Sequence, residues 1–358
     1  MRSPILFTPG PVKVPPQVAQ ALHDPPCNYH RQEAFRALFG ETQAHLRSLL
    51  GLHPETWSLG LLTCTGTGAN EACLHALAGA GKGMILHNGF FAARLVDQAR
   101  QGGIDHVVME GPPDRPLDPD AVEAALQRSP EVRWIYLVSH ETRAGLKNPL
   151  EEVSRRAKRR GLLVGADVVS SAFAYPIDLE AAELDLAVTS SAKALMAVPG
   201  IGIVYARTAS LSRLGRGRSY YLDLVAEIDK QMKGRETRFA QPVALHAALH
   251  AACRHMAEVG IAAHMARIQR QMSMIQRHLA GLGVAPLLDA AHRSGVAVNF
   301  RLPPGLDYPT FARRLEAAGY YVLYGIPGDM THFQVSTIGD LADEHVTGLL
   351  GALSAVLA

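Results

Sequence analysis

Short apolar runs alternate with helical patterns through the first two-thirds of the chain, and this alternation restricts the fold more than any other feature. Candidate strands are Trp57–Leu62, Met84–His87, His106–Glu110, Trp134–Val138, Leu162–Ala166, Leu186–Thr189 and Gly202–Ala206. Candidate helices lie near Ala69–Ala80, Phe90–Gln101, Pro119–Gln127 and Leu150–Arg160. Such an order predicts an α/β fold: a mostly parallel mixed sheet covered by helices on both faces. Ligands in such sheets collect at the carboxyl ends of the strands.

The flanking regions read differently. Residues 1–30 are Pro-rich and mostly irregular. An amphipathic helix follows over Gln32–Leu50, with Phe35, Leu38, Phe39, Leu46, Leu49 and Leu50 on one stripe. Residues 208–240 are rich in Arg and Tyr with weak periodicity, and helices resume over Val243–His255 and Ile261–Leu282. The last hundred residues predict a small α+β unit. It has a strand Val296–Arg301, a helix Tyr308–Ala318, strands Tyr320–Tyr324 and Phe333–Thr337, and a helix Leu341–Leu357, punctuated by Gly319 and Gly339. The expected division is an N-terminal segment 1–14 near the active site, a large domain 15–255 and a small domain 256–358.

A net charge of +2 over 358 residues is too small to point to nucleic acid or an anionic membrane. No apolar run approaches the roughly 20 residues of a membrane span. Pro4 and Pro9 interrupt any signal-peptide core. The four cysteines (Cys27, Cys64, Cys73, Cys253) have neither paired nor metal-ligand spacing, so a reducing cytoplasm is the expected location. Of sixteen histidines, only His246 and His250 have zinc-like spacing on a credible helix. They lack the intervening acid, and no metal is expected.

Two residues carry the chemistry. Asp167 ends the apolar run Leu162–Asp167, and Lys193 follows a small-polar turn in Val188-Thr-Ser-Ser-Ala-Lys193. A pyridoxal 5'-phosphate enzyme needs this pair: an amine to form a Schiff base with the aldehyde, and a carboxylate to keep the ring nitrogen protonated. The dianionic phosphate needs backbone amides and hydroxyls at a helix N-terminus, which Thr65-Gly66-Thr67-Gly68-Ala69-Asn70-Glu71 offers. Phe91, at the start of the next helix, is placed to stack on the ring. Ser191 is a further phosphate donor, with Ser190 as the alternative.

The ordered set of motifs resembles the class V aminotransferases of pyridoxal phosphate fold type I, over nearly the whole chain. Within them it is most similar to the 2-aminoethylphosphonate–pyruvate and alanine/serine–glyoxylate group. The stretches that carry the resemblance begin with Phe7-Thr-Pro-Gly10-Pro-Val12, His30-Arg31, Thr65-Gly66-Thr67 and Asn88-Gly89. They continue with His140-Glu141-Thr142, Gly145, Asn148-Pro149, Asp167-Val-Val-Ser170-Ser171, Ile177-Asp178, Ser191-Ala-Lys193 and Val198-Pro-Gly-Ile-Gly202. Tyr221-Leu-Asp223, Arg238-Phe239, Val322-Leu-Tyr324 and Ile338-Gly339 complete the set. The resemblance implies a homodimer with active sites shared at the interface. It assigns the Schiff base to Lys193, the ring nitrogen to Asp167, the phosphate turn to Thr65–Thr67 and stacking to Phe91. It also brings Thr142 among the cofactor-binding residues and Gly10 among those near substrate.

The departures concern the substrate. Where the family carries an Arg that grips the substrate acid group, this chain has Gln334, and a neutral amide cannot replace a guanidinium clamp. The loop Glu141-Thr142-Arg143-Ala144-Gly145 has gained a cation, so Arg143 becomes the expected anion anchor, with Arg31, Arg235 and Arg238 as rivals. A partner-facing Thr expected after Arg238-Phe239 is missing; Ala240, Gln241 and Val243 stand there. The resulting expectation is a transaminase acting on a small amine and a 2-oxo acid such as pyruvate or glyoxylate. A lyase, decarboxylase or oxidative deaminase is the alternative, and a pyridoxal phosphate-binding protein without turnover a distant third.

Overall fold

A computed structural model describes residues 4–216 and 219–357. Residues 1–3 of the expected N-terminal segment and Ala358 of the expected small domain lie outside the described residues. In chain order the strands are β1 (Ile5–Leu6), β2 (Trp57–Thr63), β3 (Gly83–His87), β4 (His106–Glu110), β5 (Trp134–Val138), β6 (His140–Glu141) and β7 (Leu146–Lys147). They continue with β8 (Leu163–Asp167), β9 (Leu186–Ser190), β10 (Ile201–Arg207), β11 (Ala297–Arg301), β12 (Tyr320–Tyr321) and β13 (His332–Ser336).

Seven of these form one sheet in the order β2-β10-β9-β8-β5-β3-β4. Only β10 runs against its neighbours, pairing antiparallel with both β2 and β9. The mixed, mostly parallel α/β sheet expected from the alternation is therefore present. Side chains separate by parity onto two apolar cores. Ile135 and Leu137 of β5 join Met84, Leu86 and Val164 on one face. Trp134, Tyr136 and Val138 join Ile85 and Leu163 on the other. Both faces are dry, so the strands read as unbroken apolar runs rather than as alternating ones.

A third apolar cluster lies apart from the sheet. Phe300 of β11 and Phe333 of β13 stack at 5.5 Å between ring centroids, and Phe311 of the helix Tyr308–Ala317 packs on Phe333 at 4.5 Å. Phe7 is buried in the same cluster, so the N-terminal stretch is tied to the C-terminal one. The parallel pair β1–β12 and the ion pair Lys13–Asp340 at 2.9 Å strengthen that tie.

Three elements differ from the sequence expectation. Pro16–His23 is a helix inside the stretch expected to be irregular; Pro16 at its first position suits a helix start, and the helix buries Val18. Leu224–Gly234 is also helical, capped by the Asp223 carboxylate accepting from Ala226 N–H at 2.9 Å, and it packs on β2. The expected strand Tyr320–Tyr324 stops at Tyr321, and Leu323 makes only an isolated bridge to Gln334. No helix among the described residues is long and apolar enough to cross a membrane, and no group of three His, Cys, Asp or Glu among them suits a metal. His246 is buried against Phe35 and Phe39 and bonds Gln241.

Candidate active site

The carboxyl ends of β2, β9, β8, β5 and β3 converge on a cavity of about 280 Å3, close to the lower end of ordinary ligand pockets. Gly10, Thr65, Gly66, Thr67, Phe91, Thr142, Asp167 and Lys193 all line it. These residues come from six separate stretches of chain, and the sheet order brings them together.

Asp167 is the last residue of β8 and is 8 % exposed. Its Oδ2 accepts from Asn70 Nδ2 at 2.7 Å, and its Oδ1 accepts from Val169 N–H at 2.8 Å. Tyr136 in turn donates its hydroxyl to Asn70 Oδ1 at 2.7 Å. Burial pushes the carboxyl up, against the two hydrogen bonds and the charge of Lys193, so the site favours a cation beside it.

Lys193 Nζ donates to the Pro9 carbonyl at 3.0 Å. Burial pulls its pKa down to about 8; the charges of Arg94 and Arg143 push the same way and that of Asp167 opposes. A fair fraction of this amine is neutral near neutral pH, as a Schiff-base nucleophile requires. Gly10 has φ +130, and a Cβ there would stand 2.6 Å from Lys193 Nζ; glycine leaves room for the amine.

The helix Gly66–Leu77 begins at the cavity, and no side chain caps it. Its first amides are free to receive an anion. Phe91 opens toward the cavity from the helix Phe90–Gln101. Glu141 fixes that helix: its carboxylate accepts from Phe91 N–H at 2.9 Å and Ala92 N–H at 2.7 Å. Glu141 is fully buried, and burial raises its pKa to about 7. A Cβ at Gly89 would lie 2.5 Å from the Glu141 carboxyl carbon, so the close approach requires glycine there.

The remaining expectations need adjustment. Ser190 lines the cavity, whereas Ser191 does not; the Ser191 hydroxyl is turned inward and donates to the Val198 carbonyl at 2.6 Å. Gln334 does not face the cavity. It is completely buried, and its Nε2 donates to the carbonyls of Thr142 at 2.6 Å and Arg143 at 3.2 Å, holding the loop that carries both. Arg143 stands beside the cavity, not in its lining. It donates to the Tyr324 and Gly325 carbonyls, and its guanidinium lies 4.8 Å from the Tyr324 ring centre and 5.4 Å from that of Phe90. Arg31, Arg235 and Arg238 line no part of the cavity.

Three residues were missed. Arg94 lines the cavity, donates to Thr67 Oγ1 at 3.1 Å and lies 5.0 Å from the Phe91 ring centre. Its position one helical turn after Phe90 was the available signal. Asn70 was read only as part of the phosphate stretch, yet it lines the cavity and holds Asp167. His140 was read only as part of a motif, yet it lines the cavity and is 1 % exposed.

Two outcomes follow from this geometry. In cofactor-free protein, acylation of Lys193 by an uncharged amine reagent, read by mass spectrometry, rises with pH through about 8 and levels above it; an ordinary lysine levels only above about 10. Gln334→Ala removes one of the two hydrogen bonds from each of the Thr142 and Arg143 carbonyls, which keep Gly145 N–H and Asn299 Nδ2, and lowers stability by about 1–3 kcal/mol, measured by denaturant unfolding.

The family model "Aminotransferase class-V" matches residues 6–325. A 2-aminoethylphosphonate–pyruvate transaminase of Burkholderia pseudomallei is 33 % identical over 364 residues, 99 % of this chain and 97 % of the relative. An alanine–glyoxylate aminotransferase structure from Nostoc sp. superposes with a TM-score of 0.91 at 29 % identity, over 100 % of this chain and 96 % of that one. An aspartate aminotransferase from Thermus thermophilus gives 0.89 at 28 % identity, over 98 % of each chain. With a buried amine, a buried carboxylate and an uncapped helix on one cavity, and this likeness over the full length, the chain belongs to the class V aminotransferases and is a pyridoxal phosphate-dependent enzyme.

Proposed function

We propose that the protein moves the amino group of a small, acid-bearing amine, phosphonate or carboxylate, to a 2-oxo acid such as pyruvate or glyoxylate. Lys193 is the covalent anchor and base, and Asp167 holds the ring nitrogen. The observation that carries this reading is the meeting of both side chains, Phe91 and an uncapped helix N-terminus on one cavity. The name of the Burkholderia relative favours an aminophosphonate as the amine. The lyase alternative has no support among the relatives.

When bound, pyridoxal phosphate supplies a ring that accepts the charge left as the substrate carbon gives up its proton. The chain's own residues divide the other tasks. Amides and hydroxyls of Thr65, Gly66 and Thr67 hold the phosphate, with Ser190 in place of Ser191. Phe91 would cover a ring face, and Thr142 lines the same cavity. Gly10 leaves space beside Lys193 for the incoming amine. Lys193, once free, would act as the base that holds and moves the proton of the substrate carbon. Arg143 meets the substrate's acid group; its carbonyl partners and two aromatic rings hold the guanidinium at one place.

We also infer a homodimer. Tyr220 is 82 % exposed, and with Tyr221, Phe239 and Arg238 it forms an aromatic, cationic surface suited to a second copy. The third apolar cluster supports a division into a segment 1–14, a large domain 15–255 and a small domain 256–358. Four free cysteines fit a cytoplasmic protein.

The direct test supplies 2-aminoethylphosphonate and pyruvate and measures alanine. Turnover is expected, and Lys193→Ala should reduce it at least about a thousandfold. Arg143→Ala should raise the KM for the amine by roughly ten- to a hundredfold, the worth of one charged contact, with the bound-cofactor absorbance intact. No alanine from this amine or from a carboxylate-bearing one would refute the substrate class, and an unchanged KM would remove Arg143 from it. Sedimentation at twice the chain mass is expected for the dimer.

A further inference from the structure

His140 is a buried side chain of the cavity wall whose ring carries two unpartnered nitrogens. It opens β6, two residues after the end of β5, and lines the cavity at 1 % exposure, and neither ring nitrogen has a hydrogen-bond partner among the described residues. The Ser170 main chain is near enough to favour the ring proton slightly, without forming such a bond. A buried donor left unpaired costs about 1–3 kcal/mol. Such a group in a ligand cavity points to a partner that arrives with the ligand.

The shape of pyridoxal phosphate says which atom that partner is. The ring nitrogen lies across the ring from the carbon that bears the aldehyde. The phosphate arm and the phenolic oxygen flank that carbon on opposite sides. With the nitrogen at Asp167, the aldehyde at Lys193 and the phosphate at Thr65–Thr67, the phenolic oxygen would face the wall beyond Asp167. The sheet order β2-β10-β9-β8-β5 places the phosphate turn on one side of Asp167 and His140 on the other.

The neighbouring hydroxyls are committed. Thr142 Oγ1 donates to Ser170 Oγ at 2.6 Å, and Ser170 Oγ donates to the His140 carbonyl at 3.2 Å. The titratable groups around the imidazole are Lys193, Lys147, Asp167 and Tyr175, whose ring centre is 6.2 Å away. Burial, helped by the two lysines, takes the imidazole pKa down to about 4. It is thus neutral near pH 7, with one N–H to give and one lone pair.

We propose that His140 donates its ring N–H to the phenolic oxygen of bound pyridoxal phosphate and thereby sets the proton affinity of the lysine-linked chromophore. This rests on the cofactor reading of the cavity given above. The donor stabilises the bare phenolate left when the lysine-linked nitrogen loses its proton. Removing it makes that loss harder, so the chromophore's pKa must rise.

The test is a spectrophotometric pH titration of the holoenzyme and of His140→Phe and His140→Asn. His140→Phe keeps a ring without a donor, and its chromophore pKa should rise by about one unit. His140→Asn keeps a donor and should titrate within a few tenths of a unit of the wild type, roughly. If the Phe variant does not fold, His140→Ala reads the same quantity. Equal pKa values in wild type and donor-free variants, or an Asn variant that titrates with the donor-free ones, would overturn the proposal. Loss of the lysine-linked chromophore in the wild type would instead refute the cofactor reading itself.

Discussion

A buried carboxylate and a buried amine share one cavity at the end of a buried strand, and the rest of the structure is arranged around that cost. Either charge alone would be strongly disfavoured there. Two hydrogen bonds hold Asp167 and restrict its orientation. Among the described residues Lys193 donates to the Pro9 carbonyl alone, and burial leaves its amine easy to deprotonate. The arrangement is poor as a stabilising salt bridge. It suits a guest that gives the acid a cation and takes the amine as a nucleophile.

The surrounding residues position one another more than they touch a ligand. Glu141 spends both oxygens on the amides of Phe91 and Ala92, so a buried acid fixes the place of an aromatic ring. Gln334 does the same for the loop that carries Thr142 and Arg143. Gln334 is thus a scaffold contact, spent on the Thr142 and Arg143 carbonyls. Positive charge now enters from Arg94 on one side and Arg143 on the other, both within 5.4 Å of the Phe90 ring centre.

The sheet was legible because strands buried on both faces leave unbroken apolar runs, and their order along the chain is preserved. Asp167, Lys193 and the Thr65 turn were legible because each sits where a strand ends. What could not be read depends on contacts distant in sequence. Nothing near Ser190 and Ser191 says which hydroxyl turns inward; the Val198 carbonyl decides it. Asn70 matters only because Asp167, far along the chain, lies beside it. Gln334 was placed at the substrate from its alignment alone, and its side chain points elsewhere. The helices Pro16–His23 and Leu224–Gly234 are held by packing and by one cap, in stretches of weak periodicity.

The central claim is that the amine at position 193 carries the cofactor aldehyde. Borohydride reduction of freshly purified protein, followed by peptide mass mapping, measures this directly. The account predicts a single reduced pyridoxyl-phosphate adduct, on the peptide that contains Lys193. A reduced adduct on a different lysine, or none on a protein that retains its cofactor absorbance, would contradict it.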